Sequence, residues 1–304
     1  MIGVLINPLS GNGQGLKTWL KVQNELGARN TEFVYMMTSR VGEASDIAAK
    51  FVQVDRIERL IVIGGDGTIN EAVNGLIHTG GAASCILAVV PAGTGNDYAK
   101  AHGIPLDPVA ALLLALSPLS RVKQIDLIQI ENGIFAINNV GAGFDGMVAK
   151  LTNEAAYKKL LNRVGLGQLS YFITMIRVFG TYKSSTLWLE IDGITHELMN
   201  TWLAATANIP FYGGSMQICP HALSDDGWLD VVVIRSSSRW KVLSIMFSVY
   251  TGKHITHPAV TFYKGRSIGV RSKSPLLLQA DGETAGTTPI QLNIVPAGIS
   301  IVTS

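Results

Sequence analysis

Gly64-Gly65-Asp66-Gly67-Thr68 stands directly after the apolar run Leu60-Ile61-Val62-Ile63 and before a stretch with helical periodicity through Ala72, Val73 and Leu76. Strand, glycine turn and helix start come in the order a phosphate site needs. Glycines let the backbone approach a ligand closely, and the open N–H groups of a helix start attract phosphate oxygens. Asp66 would repel phosphates unless a divalent cation lay between them, the arrangement of Mg²⁺ in phosphoryl transfer. A tight turn in an ordinary α/β protein would also carry these five residues.

A second loop, Pro91-Ala92-Gly93-Thr94-Gly95-Asn96-Asp97, follows the apolar run Ile86 to Val90 and precedes another helical stretch. Thr94 and Asn96 suit a phosphate or a helix cap, and Asp97 suits a cap or the orienting of a catalytic group. A third, Asn7-Pro8-Leu9-Ser10-Gly11-Asn12-Gly13, follows the first strand, where polar and glycine residues could border a nucleotide. Near the other end, Leu276 to Ala280 reads as a strand, and Asp281-Gly282-Glu283 places two carboxylates on a turn. Asp-Gly is a favoured hairpin pair. Phosphoryl transfer also needs one carboxylate within reach of the substrate hydroxyl. No G-x-G-x-x-G follows the first strand, and no G-x-x-x-x-G-K-[ST] occurs, so neither a dinucleotide fingerprint nor a P-loop holds the phosphates.

The elements that must position these loops alternate up to about residue 126. Apolar runs at Ile2 to Ile6, Phe33 to Met37, Leu60 to Ile63 and Ile86 to Val90 are interleaved with helical segments near 16–27, 42–53, 69–79 and 97–102. That is the pattern of a parallel sheet with crossover helices, whose ligands bind beyond the carboxyl ends of the strands. After about residue 127 the runs are β-branched and aromatic, at 134–140, 185–192, 198–207, 229–234, 259–263, 266–271, 276–279 and 290–295. This half reads as mostly antiparallel, with helices at 168–179 and 239–250. The final strand, Ile299 to Val302, is expected to return to the first domain.

Bulk numbers narrow the function. The 304 residues, 47% of them hydrophobic, suffice for two packed domains, and 24 basic against 22 acidic residues leave a net charge of +2, too little for a broad nucleic-acid face. Cys85 and Cys219 lack metal or disulfide spacing and read as buried thiols in a reducing compartment. No export leader is evident at the N-terminus, and the greasiest helical candidate, Val109 to Leu116, falls well short of the roughly 20 residues that span a bilayer.

Taken together, the motifs resemble the diacylglycerol kinase catalytic-domain family, which includes bacterial lipid kinases and is related to sphingosine and ceramide kinases. The resemblance spans nearly the whole chain. It comprises Asn7-Pro8-x-Ser10-Gly11, Gly64 to Thr68 with Asn70-Glu71, Pro91-x-Gly93-Thr94-x-Asn96-Asp97, Asp126-Leu127, Gly141-x-Gly143-Phe144-Asp145, Gly213-Gly214, Pro220-x-Ala222 with Asp226-Gly227-x-Leu229-Asp230, and Asp281-Gly282-Glu283. It implies an ATP-binding, NAD-kinase-like α/β domain over 1–126 with 297–304, a β-sandwich lipid-substrate domain over 127–296, and ATP in the cleft between them.

The resemblance also implies roles. Asn7, Ser10, Gly64, Gly65, Gly67, Thr68, Gly93, Thr94, Asn96, Asp97 and Asp126 would surround the nucleotide. Asp66 would work through ATP-bound Mg²⁺, with Asp97 and Asp126 in the supporting acidic network. Asp281 would be the base for the lipid hydroxyl, Glu283 a helper of Asp281 or of the magnesium, and Asp226 a ligand of a structural metal. Asp145 is read as a cap of a helix near Met147. The pattern departs at Gly213-Gly214-Ser215, where many relatives have a third glycine.

The expected reaction is phosphorylation of diacylglycerol to phosphatidic acid in phospholipid metabolism, by a cytoplasmic enzyme that touches the inner membrane surface. Other acceptors remain open: a sphingoid base, ceramide, monoacylglycerol or NAD. A catalytically silent lipid-binding protein is the non-enzyme alternative, and a homodimer is left open. Lys17 with Lys21, and Lys158, Lys159 and Arg163, are candidate membrane patches or plain solvated faces. His254-x-x-His257 reads as a loop pair.

Overall fold

The computed structural model describes residues 1–155 and 167–304, so Lys158, Lys159 and Arg163 lie outside the described residues. The described chain forms two units, one of Met1–Ile125 with Ala297–Ser304 and one of Asp126–Pro296.

The first unit holds strands β1 (Ile2–Ile6), β2 (Phe33–Met37), β3 (Arg59–Gly64) and β4 (Ile86–Pro91), with helices α1 (Ser10–Ala28), α2 (Glu43–Gln53), α3 (Asp66–His78), α4 (Asp97–Ala101) and α5 (Pro108–Leu116). Its strands are parallel: Ile2 lies opposite Phe33 on one side and Arg59 on the other, and Arg59 lies opposite Ile86. The order is therefore β2-β1-β3-β4. Strand order reverses between β1 and β3, so the loops that leave those two strands flank the switch point where such sheets bind ligands. The strands are near-continuous apolar runs because helices cover the sheet: Leu5, Ile61, Val62 and Leu87 have no exposed surface.

The second unit is antiparallel. It holds β6 (Phe135–Ala136), β7 (Asn139–Gly143), α6 (Phe144–Glu154), α7 (Gly167–Thr181), β8 (Ser185–Ile191), β9 (Ile194–Ala207), β10 (Phe211–Tyr212), β11 (Met216–Gln217), β12 (Leu229–Arg235), α8 (Arg239–Ser248), β13 (Val260–Gly265), β14 (Ser267–Ser272), β15 (Leu277–Ala280) and β16 (Glu283–Thr287). The chain passes between units within β5 (Arg121–Ile130) and β17 (Ile290–Thr303). Alternation along β12 builds two cores at once. Val231 and Val233 join a strand-lined cluster with Leu189 and Ile268, while Val232 and Ile234 face the other way, into a cluster with Phe144, Met175 and Val242 from the helices. The architecture is thus an α/β domain with parallel strands followed by a β-sandwich-like domain.

Several boundaries differ from the sequence reading, for physical reasons. α1 begins at Ser10 rather than 16, but Gly11, Asn12 and Gly13 are left-handed within it, so apolar periodicity starts only beyond them. The expected strand over 134–140 is two strands, because the N–H groups of Ile137, Asn138 and Asn139 turn to the Asp281 carboxylate instead of a neighbouring strand. The runs 290–295 and 299–302 are one strand, β17, whose Ser300 and Ile301 lie parallel to Ile86 and Leu87 of β4. α6 begins at Phe144, which puts Asp145 in its first turn rather than before Met147.

Candidate active site

In the first unit the three glycine loops meet. A Cβ on Gly93 would lie 2.6 Å from the Gly65 Cα, and one on Gly11 would lie 2.3 Å from the Ala92 carbonyl oxygen. Only glycine permits these approaches. Side chains then tie the loops together. Asn7 Nδ2 donates to Thr68 Oγ1 at 2.9 Å, and Ser10 Oγ donates to the Ala92 carbonyl at 3.2 Å. Asn96, left-handed at φ 53°, closes its own loop by accepting from the Gly93 N–H at 2.9 Å. Glu71 of the same motif accepts from the N–H groups of Gly42 and Ala44 and so caps α2. These polar residues therefore shape the loops.

Gly67 is different. It sits in the first turn of α3, is exposed, and a Cβ there would meet nothing within 4 Å. No protein atom needs a glycine at that place; a ligand that approaches the open helix start would. Asp66 beside it accepts from the N–H groups of Tyr98 at 3.0 Å and Asp97 at 3.3 Å, which caps α4. Burial holds its carboxyl above the usual range, and the Asp97 charge adds to this while the Tyr98 N–H pulls it back. Two neighbouring carboxylates, one of them buried, fit a nearby cation such as phosphate-bound Mg²⁺. Lys100 Nζ lies 3.8 Å from Asp97.

In the second unit, Asp281 and Gly282 form the turn between β15 and β16, both with positive φ (48° and 88°), the type I′ geometry that Asp-Gly favours. The Asp281 carboxylate accepts from the backbone N–H groups of Ile137, Asn138 and Asn139 at 2.7, 2.8 and 2.9 Å. These donors fix its position. Buried Gln279 braces the same turn: its Nε2 donates to Asn139 Oδ1 at 2.7 Å and its Oε1 accepts from the Gly282 N–H at 2.8 Å. Asn153 Nδ2 donates to Glu283 Oε2 at 3.3 Å.

Beside this turn's support lies an apolar cavity, partly open to solvent and about 500 Å³ with its open mouth included, lined by Phe144, Met175, Trp202, Leu203, Met246 and other apolar residues, with the Asp145 carboxyl among them. Asp145 Oδ2 accepts from Gln279 Nε2 at 3.3 Å, while Oδ1 is buried without a hydrogen-bond partner. Burial pushes this carboxyl up to about 6, against the pull of the Gln279 and Tyr212 donors. The sequence reading left Asp145 out. A signal was there: a Cβ on Gly141 would lie 1.5 Å from Asp145 Oδ2, so that glycine makes room for the carboxylate.

Asp126 belongs to the second unit, where its Oδ2 accepts from the Gly227 N–H at 2.8 Å and its own N–H donates to the Ser224 carbonyl at 2.6 Å. It thereby holds the Asp225–Gly227 loop. Asp226, expected from the resemblance to be a ligand of a structural metal, is held here by protein donors: its Oδ1 accepts from the Trp228 N–H at 3.0 Å and its Oδ2 from the Lys264 ammonium at 2.6 Å. The same ammonium lies 3.6 Å from Asp230, its cross-strand partner. Among the described residues, no three His, Cys, Asp or Glu side chains converge on a metal position. Lys264 supplies positive charge beside both carboxylates, and its hydrogen bond to Asp226 raises its own pKa. His254 is buried with Nε2 3.0 Å from the Ile218 carbonyl, and both cysteines are buried and unpaired.

Comparisons with known proteins agree with this two-part layout. Residues 1–130 match the model of the diacylglycerol kinase catalytic domain, and residues 138–303 match that of the YegS C-terminal NAD kinase beta sandwich-like domain. A Bacillus subtilis protein named provisionally as the lipid kinase YtlR is 32% identical over 98% of this chain and 98% of its own. A diacylglycerol kinase of Mycobacterium tuberculosis is 28% identical over 99% of this chain and 94% of its own. A crystal structure from Bacillus anthracis, described provisionally as a diacylglycerol kinase, has a TM-score of 0.81 at 25% identity, covering 100% of this chain and 95% of that one.

Proposed function

The chain belongs to the diacylglycerol-kinase-like family of lipid kinases, and on that premise we propose that it transfers the terminal phosphoryl group of ATP to a hydroxyl of diacylglycerol, giving phosphatidic acid. The observation that best supports a lipid acceptor is the cavity of the second unit, whose lining is almost wholly apolar. A dinucleotide acceptor such as NAD would find few hydrogen-bonding groups there, which disfavours that reading.

The phosphates would rest on the N–H groups at the start of α3, in the open space before Gly67, with the Gly93 loop packed behind. Mg²⁺ bound to those phosphates would screen their charge in front of Asp66 and Asp97. The acceptor hydroxyl oxygen attacks the terminal phosphorus, the bond to the bridging oxygen breaks, and ADP departs with its electron pair. Asp281 would take the hydroxyl proton, held in one orientation by its three backbone donors, with Glu283 beside it. Contact with a membrane surface follows from the acceptor. Among the described residues no helix is long and apolar enough to cross one.

The test is transfer of labelled γ-phosphate from ATP, with Mg²⁺, to diacylglycerol in mixed micelles, with sphingosine and NAD as parallel acceptors. Labelled phosphatidic acid is expected. Label on sphingosine or NAD alone moves the acceptor, and label on none overturns the reading.

A further inference from the structure

α8 is apolar on two opposite faces. Val242, Ile245, Met246 and Val249 recur at helical spacing on the inner face, where Val242, Met246 and Val249 line the cavity. Trp240, Leu243 and Phe247 recur on the opposite face, and Tyr250 continues that line in the turn that follows. Trp240 is 78% exposed and Phe247 51%, while Leu243 is half-buried. A surface helix normally turns polar residues to solvent. Here, among the described residues, large aromatic side chains take part of that face.

From Val231 to Ala280 the chain carries eight Lys and Arg residues and no Asp or Glu, but Lys264 is paired with Asp226 and Asp230, and Arg271 lies 4.0 Å from Glu190. Arg239 is engaged within the unit, donating to the carbonyls of Phe179 and Tyr182 at 2.7 and 2.8 Å. Lys241 and Lys253 stand exposed beside the aromatic row. Exposed aromatic rings, with the polar tips of Trp240 and Tyr250, flanked by two exposed lysines, match the boundary between acyl chains and anionic headgroups.

We infer that α8 and the turn after it form the surface by which this protein docks on an anionic lipid bilayer, with the outer row inserted at headgroup depth. The inner face of the same helix walls the cavity, so docking brings the cavity wall to the bilayer surface. The inference rests on the lipid-kinase reading and places its membrane contact away from the Lys17 and Lys21 face considered from the sequence. A second copy of the chain would be a poorer occupant, because two copies of one basic patch repel.

The test is co-sedimentation of the full chain with vesicles of phosphatidylcholine containing phosphatidylglycerol, without nucleotide. Trp240→Ser with Phe247→Ser is expected to lower partitioning at least about tenfold, and Lys241→Gln with Lys253→Gln about fivefold per lysine, an effect that salt also removes. All four side chains are exposed, so melting temperatures should hold. Transfer to a short-chain diacylglycerol below its micellar concentration should also be unchanged in the aromatic pair. Undiminished vesicle binding overturns the inference, as does a wild-type dimer that the aromatic pair converts to monomer. If even the wild type phosphorylates no lipid, the kinase reading fails, and sedimentation still judges the docking face by itself.

Discussion

In the first unit, Gly65 and Gly93 bring two loops together backbone to backbone, and the place proposed for phosphate is bare N–H before a glycine with empty space over it. In the second unit the corresponding work falls to side chains: Asp281 gathers three N–H groups from a segment about 140 residues away in sequence, and Gln279 braces the turn behind it. A backbone-built site tolerates loss of a side chain but no added Cβ. A side-chain-built site responds in the opposite way, since each polar group is both a functional group and part of the fold. The two units should therefore fail differently when altered.

Asp281→Ala is the largest break. It leaves the N–H groups of three buried residues without their acceptor, and it puts alanine at a positive φ that Asp tolerates better. A loss of roughly 3–5 kcal/mol in urea unfolding is expected, together with loss of turnover, so inactivity of this variant alone does not identify a base. Gly67→Ala is its counterpart. With nothing within 4 Å of the new methyl, helix propensity should raise stability by about 0.5–1 kcal/mol. Nucleotide affinity should fall about tenfold or more, because the methyl occupies the space offered to phosphate. Equal loss of stability in both variants would erase the contrast between the units.

The same contrast explains what the sequence made legible. Glycine loops after apolar strands are local signals, and Gly64 to Thr68, Gly93 to Asp97 and Asn7 to Ser10 do meet in one place. Their individual polar residues were harder to read. Asn7 and Ser10 tie loops as donors, to Thr68 Oγ1 and to the Ala92 carbonyl, while Asn96 and Glu71 accept from nearby backbone N–H groups, so each has a protein partner that sequence alone does not announce. In the second unit the partners are distant in sequence. Nothing local announces that Lys264 will lie opposite Asp230, or that Asp145, Trp202 and Met246 will share a cavity. Ser215 is a smaller case: it stands where the family resemblance leads to the expectation of a third glycine, and its φ of 101° is one that glycine adopts more readily.

Asp145 sharpens the comparison because burial acts on a side chain as it cannot on a backbone. Its folded pKa of about 6 lies above the ordinary 3.8, so the folded state keeps this proton to a higher pH than the unfolded chain does. The favourable contribution of the neutral acid is complete below about pH 4 and is lost as pH rises through 6, a change of about 3 kcal/mol. Asp145→Asn is neutral throughout. Its stability relative to the native chain should rise by about that amount between pH 4 and 7 in paired urea titrations. A difference that stays flat with pH would mean that the carboxyl ionises without hindrance and that the cavity is wetter than its lining suggests.

Lys264 gives the smallest effect and the narrowest test of how the second unit handles charge. If its ammonium neutralises Asp226 and Asp230, chelators should leave the melting temperature of the native chain unchanged. Lys264→Met should lose about 1 kcal/mol, a modest figure because the lysine is partly exposed and water screens the pair. The freed carboxylates would then repel each other, and millimolar Ca²⁺ or Mg²⁺ should recover part of the loss in the variant but add nothing to the native chain. A native melting temperature that falls on chelation would show the opposite: that a metal displaces the ammonium and that Asp226 is a ligand after all. Because the readout is stability in the absence of nucleotide, it separates a structural cation from the Mg²⁺ that would arrive with ATP.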